Sequence, residues 1–225
     1  MRILFTKKIS KQMISKKLGS HFSYDFLEVI RIRPLQVEAF ELKDSSVIFS
    51  SVNAVQAFFA NQFRINENFL DPDFNKIYAV GAQTKKELRK HGFGTFKVVP
   101  HAKALADFIV KNSSKETFIH FCGNLAIDVL NQSLPLQNIA YQKVPVYETQ
   151  LTYPKVAGEY DAVCFFSPSG ARSFAKYNPL DAYTIFSIGE TTENEIKKYT
   201  KQPIITSRKR TLDDLMNHIA EQYAL

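Results

Sequence analysis

Two stretches of the chain decide the fold, VIFSSVNAVQAF at residues 47–58 and VCFFSPSGARSF at residues 163–174, because they are copies of one pattern. Each begins with a short run of β-branched or aromatic residues, which is typical of a buried strand. Each then passes through a serine, Ser51 or Ser167, into a segment with the apolar spacing of a helix. A strand followed by a helix, present twice, predicts a repeated α/β unit.

Two further motifs repeat in the same order along the chain. AVGAQTKKEL, which begins at Ala79, resembles SIGETTENEI, which begins at Ser187. KVVPHAKALADFI, from Lys97, resembles PIITSRKRTLDDLMNHI, from Pro203, with one residue inserted in the second copy. The three pairs are separated by about 106 to 116 residues. This order predicts two similar domains of nearly equal size rather than one large domain.

Short apolar runs alternate with longer stretches of helical periodicity over most of the chain, which predicts a parallel α/β architecture. Two stretches differ, residues 18–35 and 139–154, because they are extended, contain prolines and show no helical period. We expect both to cross between domains. Strands are predicted at residues 3–6, 47–50, 77–80, 96–99, 117–121, 139–141, 144–147, 162–166, 184–188 and 204–206.

The repeat also predicts how the chain is divided. The middle of the chain has a fourth unit, TFIHFCGNLAIDVL at residues 117–130, and the C-terminal copy has no counterpart. RILFTKK at residues 2–8 is the simplest source of the missing strand, which makes one domain discontinuous. The predicted boundaries are 1–33 plus 149–225 for the discontinuous domain, 40–143 for the inserted domain, and 34–39 and 144–148 for two antiparallel crossings.

The composition is that of a globular protein with an excess of positive charge. Apolar residues make up 45% of the 225 residues and charged residues 23%, which excludes disorder, coiled coil and collagen. The net charge of +7 favours an anionic partner, either nucleic acid, a membrane or a polyanionic small molecule. The N-terminal MRILFTKKIS is too short for a signal peptide or a membrane span, so we expect a cytoplasmic protein. Cys122 and Cys164 lie in apolar runs and are predicted to be buried, reduced thiols.

Small and hydroxyl-bearing residues follow several predicted strands, in SSVNA, SPSGA, GAQT, GETT and CGN. In open parallel sheets ligands bind beyond the carboxyl ends of the strands, where the helices begin. Serine and threonine cap such helices, and the free backbone N–H groups favour a carboxylate or a phosphate. A capped helix start without a ligand explains each motif taken alone, but several such loops facing one cleft predict a binding site for an anion.

Common catalytic motifs are absent from the sequence. There is no phosphate-binding P-loop, no dinucleotide fingerprint and no nucleophile elbow, and the five histidines lack the spacing of a metal site. We therefore expect the histidines to be structural or surface residues rather than metal ligands. Two basic clusters, Lys7-Lys8 and residues 208–210, directly follow predicted strands. They are either solvated loops or the flanks of the same cleft.

The motifs FFSPSGARSF, SIGETTENEI, AVGAQTKKEL, HFCGN and VPVYET together resemble the motif series of the uroporphyrinogen-III synthase family, in the same order over nearly the whole chain. The resemblance implies two α/β domains joined by a two-stranded β-ladder, with the active site in the cleft between them. It implies a cofactor-free lyase of tetrapyrrole (haem) biosynthesis. The substrate would be linear hydroxymethylbilane, which carries eight carboxylates and is cyclised to uroporphyrinogen III with loss of water and inversion of ring D through a spiro intermediate.

The resemblance also implies partners and a setting for the protein. We expect a cytoplasmic monomer that binds this small molecule, with possible handover of the substrate from porphobilinogen deaminase. Neither a nucleic acid nor a membrane is expected as a partner. The charge of +7 then matches a polyanionic substrate.

Site residues are carried over onto matching positions of this sequence. Tyr147 of VYET matches the tyrosine that helps the hydroxyl to leave as a hydrogen-bond donor or acid, although a strand tyrosine that only packs is the alternative. Glu190 replaces a frequent proline, and its carboxylate is unfavourable beside a polyanion unless it points away. The expected substrate-binding residues are Ser51, Asn53, Gly81, Thr84, Gly123, Asn124, Ser167, Ser169, Gly189, Thr191 and Thr192.

A two-domain binding protein that closes on a small polyanion without catalysis is the alternative function, because its architecture would look the same in the sequence. Nucleic-acid binding is a third hypothesis. The basic residues are scattered, however, and no known nucleic-acid-binding motif accompanies them.

Overall fold

The computed structural model describes residues 1–19 and 22–223 of the chain. They form two compact units: unit 1 contains Met1–Arg31 and Gln150–Leu225, and unit 2 contains Ile32–Thr149. Unit 2 is longer than the predicted insert of residues 40–143, because it includes the residues predicted as crossings and also residues 32–33 and 149. Ser20 and His21, within the stretch 18–35 that was predicted to be extended, lie outside the described residues.

The described residues contain eleven strands and eight α-helices. The strands are β1 (Arg2–Phe5), β2 (Ser23–Phe26), β3 (Ile30–Pro34), β4 (Ser45–Phe49), β5 (Ile77–Val80), β6 (Lys97–Val99), β7 (Thr117–Gly123), β8 (Tyr141–Leu151), β9 (Ala162–Phe165), β10 (Thr184–Ser187) and β11 (Ile204–Thr206). The helices are α1 (Lys11–Leu18), α2 (Val52–Ala60), α3 (Ala82–Lys90), α4 (Ala102–Asn112), α5 (Val129–Ser133), α6 (Pro168–Ala175), α7 (Glu190–Ile196) and α8 (Leu212–Gln222).

Each unit has its own sheet, and the two sheets share a strand order. Unit 1 has the order β11-β10-β9-β1-β2, in which all four neighbouring pairs are parallel. Unit 2 has the order β3-β8-β7-β4-β5-β6, and the pairs from β8 to β6 are parallel. The strand β1 therefore occupies in unit 1 the place that β7 occupies in unit 2. The chain has a two-domain α/β fold with mostly parallel sheets, which confirms the predicted fold class.

Two strand predictions were wrong. Residues 18–35 were predicted to cross between domains, but they include β2, which pairs in parallel with β1. Residues 139–141 and 144–147 were predicted as two strands, but a single strand, β8, runs from Tyr141 to Leu151 and includes residues 144–148 of the predicted crossing. Pro145 does not end this strand because the register shifts at Cys122 and Gly123 of β7, as in a β-bulge.

Apolar residues cover both faces of each sheet, as expected for parallel sheets with helices on either side. Phe58 and Phe174, which the repeat aligns, are both fully buried, Phe58 against Phe49 and Phe174 against Phe165. No helix of the described residues combines the length and the apolar character needed to cross a membrane.

A buried glutamate joins neighbouring helices in both units. In unit 2 the Gln56 side chain donates to Glu87 Oε1 at 3.0 Å, which links α2 to α3. In unit 1 Arg172 Nε donates to Glu195 Oε1 at 2.9 Å, which links α6 to α7. The Arg172 guanidinium is the main reason that the pKa of Glu195 falls to about 2. The two units therefore share this polar link between helices as well as the repeated sequence motifs.

Candidate functional site

The Tyr147 ring lies against the backbone of Gly123, at the carboxyl end of the unit 2 sheet. The shifted register of β7 and β8 places Tyr147 opposite Gly123. A Cβ atom on Gly123 would lie 2.4 Å from Cζ of the ring and 2.8 Å from its hydroxyl oxygen. Glycine is therefore required at this position because any side chain would occupy the space of the phenol.

Ser51 holds the Tyr147 hydroxyl. The two oxygens are 3.0 Å apart, and either one could be the donor. Ser51 is also the N-cap of α2, where its Oγ accepts a hydrogen bond from the backbone N–H of Ala54 at 3.1 Å. The Asn53 side chain lies near enough to the phenol to oppose slightly the rise in the pKa of Tyr147 that burial causes. The tyrosine is thus fixed at the positive end of a helix.

Asn124 fixes the backbone that directly follows the Tyr147 side chain. Its N–H donates to the Tyr147 carbonyl at 3.1 Å, and its Oδ1 accepts from the Thr149 N–H at 2.9 Å. The structure therefore brings together five of the predicted site residues, namely Tyr147, Ser51, Asn53, Gly123 and Asn124. We refer to these five as the tyrosine cluster.

Burial raises the pKa of Tyr147, and the hydrogen bond to Ser51 only partly opposes this effect. The phenol therefore keeps its proton at neutral pH. A raised pKa makes complete proton transfer less favourable, but it leaves the O–H available as a hydrogen-bond donor. The geometry suits a group that supports a departing oxygen.

A buried polar network, which the sequence analysis missed, lies next to the tyrosine cluster. The His120 side chain is 2% exposed and joins Ser50 Oγ, at 2.8 Å, to the Tyr141 hydroxyl, at 2.7 Å. Ser50 immediately precedes Ser51, so the network holds the end of β4 on which the tyrosine cluster depends. The only signal in the sequence is one histidine in the apolar run FIHFCG.

Stability should depend on pH through His120. Burial, with a smaller contribution from Lys143, lowers the pKa of His120 from 6.5 to about 4. The unfolded chain therefore binds a proton between these values that the folded chain does not bind. The free energy of unfolding should fall by roughly 3 kcal/mol from this residue as the pH drops from 7 to 4.

Urea unfolding of the wild type and of His120→Gln at pH 7, 5 and 4 checks this expectation. Glutamine does not titrate, so the variant should lose less stability than the wild type over the same interval. An equal loss in the two proteins would contradict the assignment.

The residues of the two glycine–threonine motifs, GAQT and GETT, differ in backbone conformation and in side-chain exposure. Gly81 has φ of +87° at the N-cap of α3, a conformation that favours glycine. Thr84 and Thr192 are each 3% exposed, so their side chains pack inside their units and do not face a ligand. Thr191, at the start of α7, is exposed. The period of the helix explains the difference, because adjacent threonines lie on different faces.

Unit 1 has a capped helix start in the place of Ser51. Ser167 Oγ accepts from the Gly170 N–H at 3.1 Å and lies 3.2 Å from Ser169 Oγ. Pro168, the first residue of α6, has no N–H, so the two hydroxyls and the backbone N–H of Ser169 form the polar end that could bind a carboxylate.

The charge of Glu190 is balanced within its own unit. Arg210 donates to the Glu190 carboxylate at 3.2 Å. The Arg210 side chain lies across Gly189, where an added Cβ would be 3.1 Å from the arginine Cγ. The Glu190 carboxylate is therefore paired with a cation, and it is not the lone negative charge that would be unfavourable beside a polyanion site. Among residues 1–19 and 22–223, no group of three or more His, Cys, Asp or Glu residues could hold a metal ion.

Comparisons with known proteins agree on one family. The family model described as uroporphyrinogen-III synthase HemD matches residues 25–217. No curated protein matches the chain. Among solved structures, uroporphyrinogen-III synthetase from Helicobacter pylori matches with a TM-score of 0.68 and 20% identity over 99% of this chain and 100% of the other. A mutant uroporphyrinogen III synthase from Thermus thermophilus matches with a TM-score of 0.66 and 12% identity over 99% and 97% of the two chains. At these identities the structures support the fold.

Proposed function

Because the chain belongs to the uroporphyrinogen-III synthase family, we propose that Tyr147, held by the tyrosine cluster, is the residue that assists loss of the substrate's hydroxyl group. The protein is a lyase of tetrapyrrole biosynthesis, which closes hydroxymethylbilane to uroporphyrinogen III. A binding protein without catalysis is not favoured, because the family is one of enzymes. The observation that carries the proposal is the 3.0 Å contact between the Tyr147 hydroxyl and Ser51.

Breaking the first bond, between the terminal carbon and the hydroxyl group, needs little help from the protein. The nitrogen lone pair of pyrrole ring A expels the hydroxyl, which leaves an azafulvenium cation at the terminal carbon. Tyr147 donates a hydrogen bond to the oxygen as negative charge develops on it, and the oxygen leaves as water once it has gained a proton. Ser51 Oγ–H can donate to the phenol oxygen, which directs the phenol O–H towards the substrate.

A proton released in the last step replaces the one that the leaving oxygen gained. The substituted carbon of ring D attacks the cation and forms the spiro pyrrolenine. This intermediate fragments, and ring D rejoins through its other α-carbon. Loss of one proton then restores the aromatic pyrrole, so that the whole reaction releases one water molecule. The protein must mainly hold rings A and D in the productive arrangement before direct closure occurs.

The substrate's carboxylates must be bound by polar groups of the protein that take no part in the reaction. We assign this role to Ser167 and Ser169 in unit 1, whose hydroxyls lie at the start of α6. Gly81, Gly189 and Thr191 lie at other helix starts. The N–H groups of Gly81 and Gly189 already donate to the Val99 carbonyl and to Ser187 Oγ, so these glycines would only let the substrate approach the backbone closely, and Thr191 would act through its exposed hydroxyl. For Thr84 the proposal is limited to its backbone, because its side chain is buried. Thr192 is given no contact with the substrate, because its side chain is buried and its N–H donates to the Gly189 carbonyl.

We extend the proposal to the setting of the reaction. The enzyme acts as a cytoplasmic monomer and takes hydroxymethylbilane over from porphobilinogen deaminase. The chemistry of the substrate supports this handover, since free hydroxymethylbilane closes by itself to the unflipped isomer. A short path between the two enzymes limits that loss.

A double-mutant cycle tests the pairing of Ser51 with Tyr147. Ser51→Ala should lower kcat about tenfold, because the phenol loses the group that directs it. In a Tyr147→Phe background the same change should have almost no further effect on kcat. Both are measured with hydroxymethylbilane generated in the assay by the deaminase.

Ser167→Ala is the matched control, because it removes the equivalent N-cap from α6 in unit 1. Its effect on kcat/KM should be the same in both backgrounds, since the Ser167 hydroxyl is bonded within unit 1, to Gly170 and Ser169. If Ser51→Ala lowers kcat equally with and without the phenol hydroxyl, Ser51 does not act through Tyr147 and the proposal fails.

A further inference from the structure

The carboxyl edges of the two sheets differ in charge. In unit 1 the loops after β1 and β11 read TKKIS, at residues 6–10, and SRKRT, at residues 207–211. These loops contain Lys7, Lys8, Arg208, Lys209 and Arg210, and all five side chains are exposed.

In unit 2 the loops that join strands to helices at the same edge contain no lysine or arginine. They are residues 50–51, 81, 100–101 and 124–128. The Asp128 carboxylate of the last loop is paired with Lys143 Nζ at 2.7 Å. The tyrosine cluster therefore lies at an edge without cationic loops, and the positive charge of the loops is concentrated in unit 1.

Four of the unit 1 cations are not neutralised locally. Arg210 is paired with Glu190, but Lys7, Lys8, Arg208 and Lys209 have no ion-pair partner within the part of the chain that the structure describes. A lone cation with no structural partner contributes little to folding, and four of them at one edge repel one another.

The two cationic loops are held in place by the sheet. β9 and β10 lie between β1 and β11, so the loops are separated by three strand spacings, or about 14 Å. Ser207 Oγ donates to the Asp214 carboxylate at 2.9 Å, and the Lys209 N–H donates to the same oxygen at 3.3 Å. The capped start of α6, with Ser167, follows β9 between them.

We infer that Lys7, Lys8, Arg208 and Lys209 form a second substrate-binding element, which binds the carboxylates of the tetrapyrrole and leaves the bond-breaking chemistry to unit 2. The inference rests on the proposed function for the identity of the anion. Two clusters about 14 Å apart fit a long molecule with carboxylates on every ring better than a single small anion. Because the cations are exposed, their contribution should be sensitive to salt.

Two double variants test the inference, Lys7→Ala/Lys8→Ala and Arg208→Ala/Lys209→Ala. Each should lower kcat/KM about five- to tenfold at about 20 mM salt, mainly through a higher KM, and the difference from wild type should shrink at about 500 mM salt. The proportion of the type III isomer at saturating substrate should not change. Binding of uroporphyrin III, followed by fluorescence, should weaken to the same extent as KM rises.

Lys16→Ala/Lys201→Ala is the matched control. Both lysines are exposed, and they lie towards the opposite edge of the same sheet, Lys16 in the last turn of α1 and Lys201 before β11. This variant also removes two charges, so it corrects for the change in net charge. Thermal unfolding shows whether each variant is folded.

The outcomes separate this inference from the proposed function. If wild type yields type III isomer and the two edge variants match the control in KM and in salt dependence, the cationic edge does not bind the substrate. If the edge variants lower kcat at saturation without raising KM, the residues act on something other than binding and the inference is also wrong. A wild type that yields only type I isomer refutes the function itself, whatever the edge variants do.

Discussion

Replacing Gly123 with alanine should lower kcat about 100-fold while leaving the protein folded. The new Cβ would lie 2.4 Å from Cζ of Tyr147, far inside the closest normal approach of two carbon atoms. Gly123 is part of β7 and cannot retreat without breaking its pairing with β8, so the ring must move instead. A displaced ring loses the 3.0 Å contact to Ser51, and a misplacement of about 1 Å is enough for a loss of this size.

Gly94→Ala is the matched control for this substitution. Gly94 also belongs to unit 2, but a Cβ there would meet nothing within 4 Å. The control should keep the wild-type kcat, and thermal unfolding should show that both variants fold. A Gly123→Ala enzyme with normal turnover would show that the position of the phenol does not matter for the reaction.

Replacing Tyr147 with phenylalanine should lower kcat about 100-fold with little change in KM. The variant keeps the ring against Gly123 but removes the hydrogen-bond donor, and general-acid assistance by a positioned side chain is typically worth about 100-fold or more. Because burial raises the pKa of Tyr147, the wild-type phenol stays protonated below about pH 10. The alkaline side of the pH–kcat profile should therefore show no loss from this residue up to about pH 9.

Tyr160→Phe serves as a control for the loss of a phenol hydroxyl in general. Tyr160 donates to the Asp25 carboxylate at 3.1 Å and belongs to unit 1, whereas the residues that hold Tyr147 belong to unit 2. Its variant should change stability slightly and leave kcat unchanged. If Tyr147→Phe were as active as Tyr160→Phe, Tyr147 would be a packing residue, which is the alternative that the sequence left open.

The repeat was the most informative part of the sequence. It predicted the parallel α/β architecture and assigned the first strand of the chain to the unit that contains β9, because the same hydrophobic patterns recur in the same order. β2 was missed since its residues, SYDF, are polar as well as aromatic and none of them is fully buried. A strand at the edge of a sheet lacks the continuous apolar run that marks a central parallel strand.

The contacts of the site could be predicted only in part. Ser51 was expected to cap a helix, and its type and position after a strand were sufficient for that. The contact between Tyr147 and Gly123 depends on a register shift, which no pattern of residue types reveals. The burial of Thr84 was missed because its exposure depends on the rotation of α3 about its axis, and the motif alone does not specify this.

The central claim is that the phenol of Tyr147, and not only the binding of the substrate, drives the ordered closure of the ring. The most direct test is the isomer composition of the products when equal amounts of wild type and Tyr147→Phe act on freshly formed hydroxymethylbilane. We expect nearly all type III uroporphyrin from the wild type after oxidation, and mainly type I from the variant, because spontaneous closure then competes successfully. Type III formation by Tyr147→Phe at the wild-type rate would contradict the account.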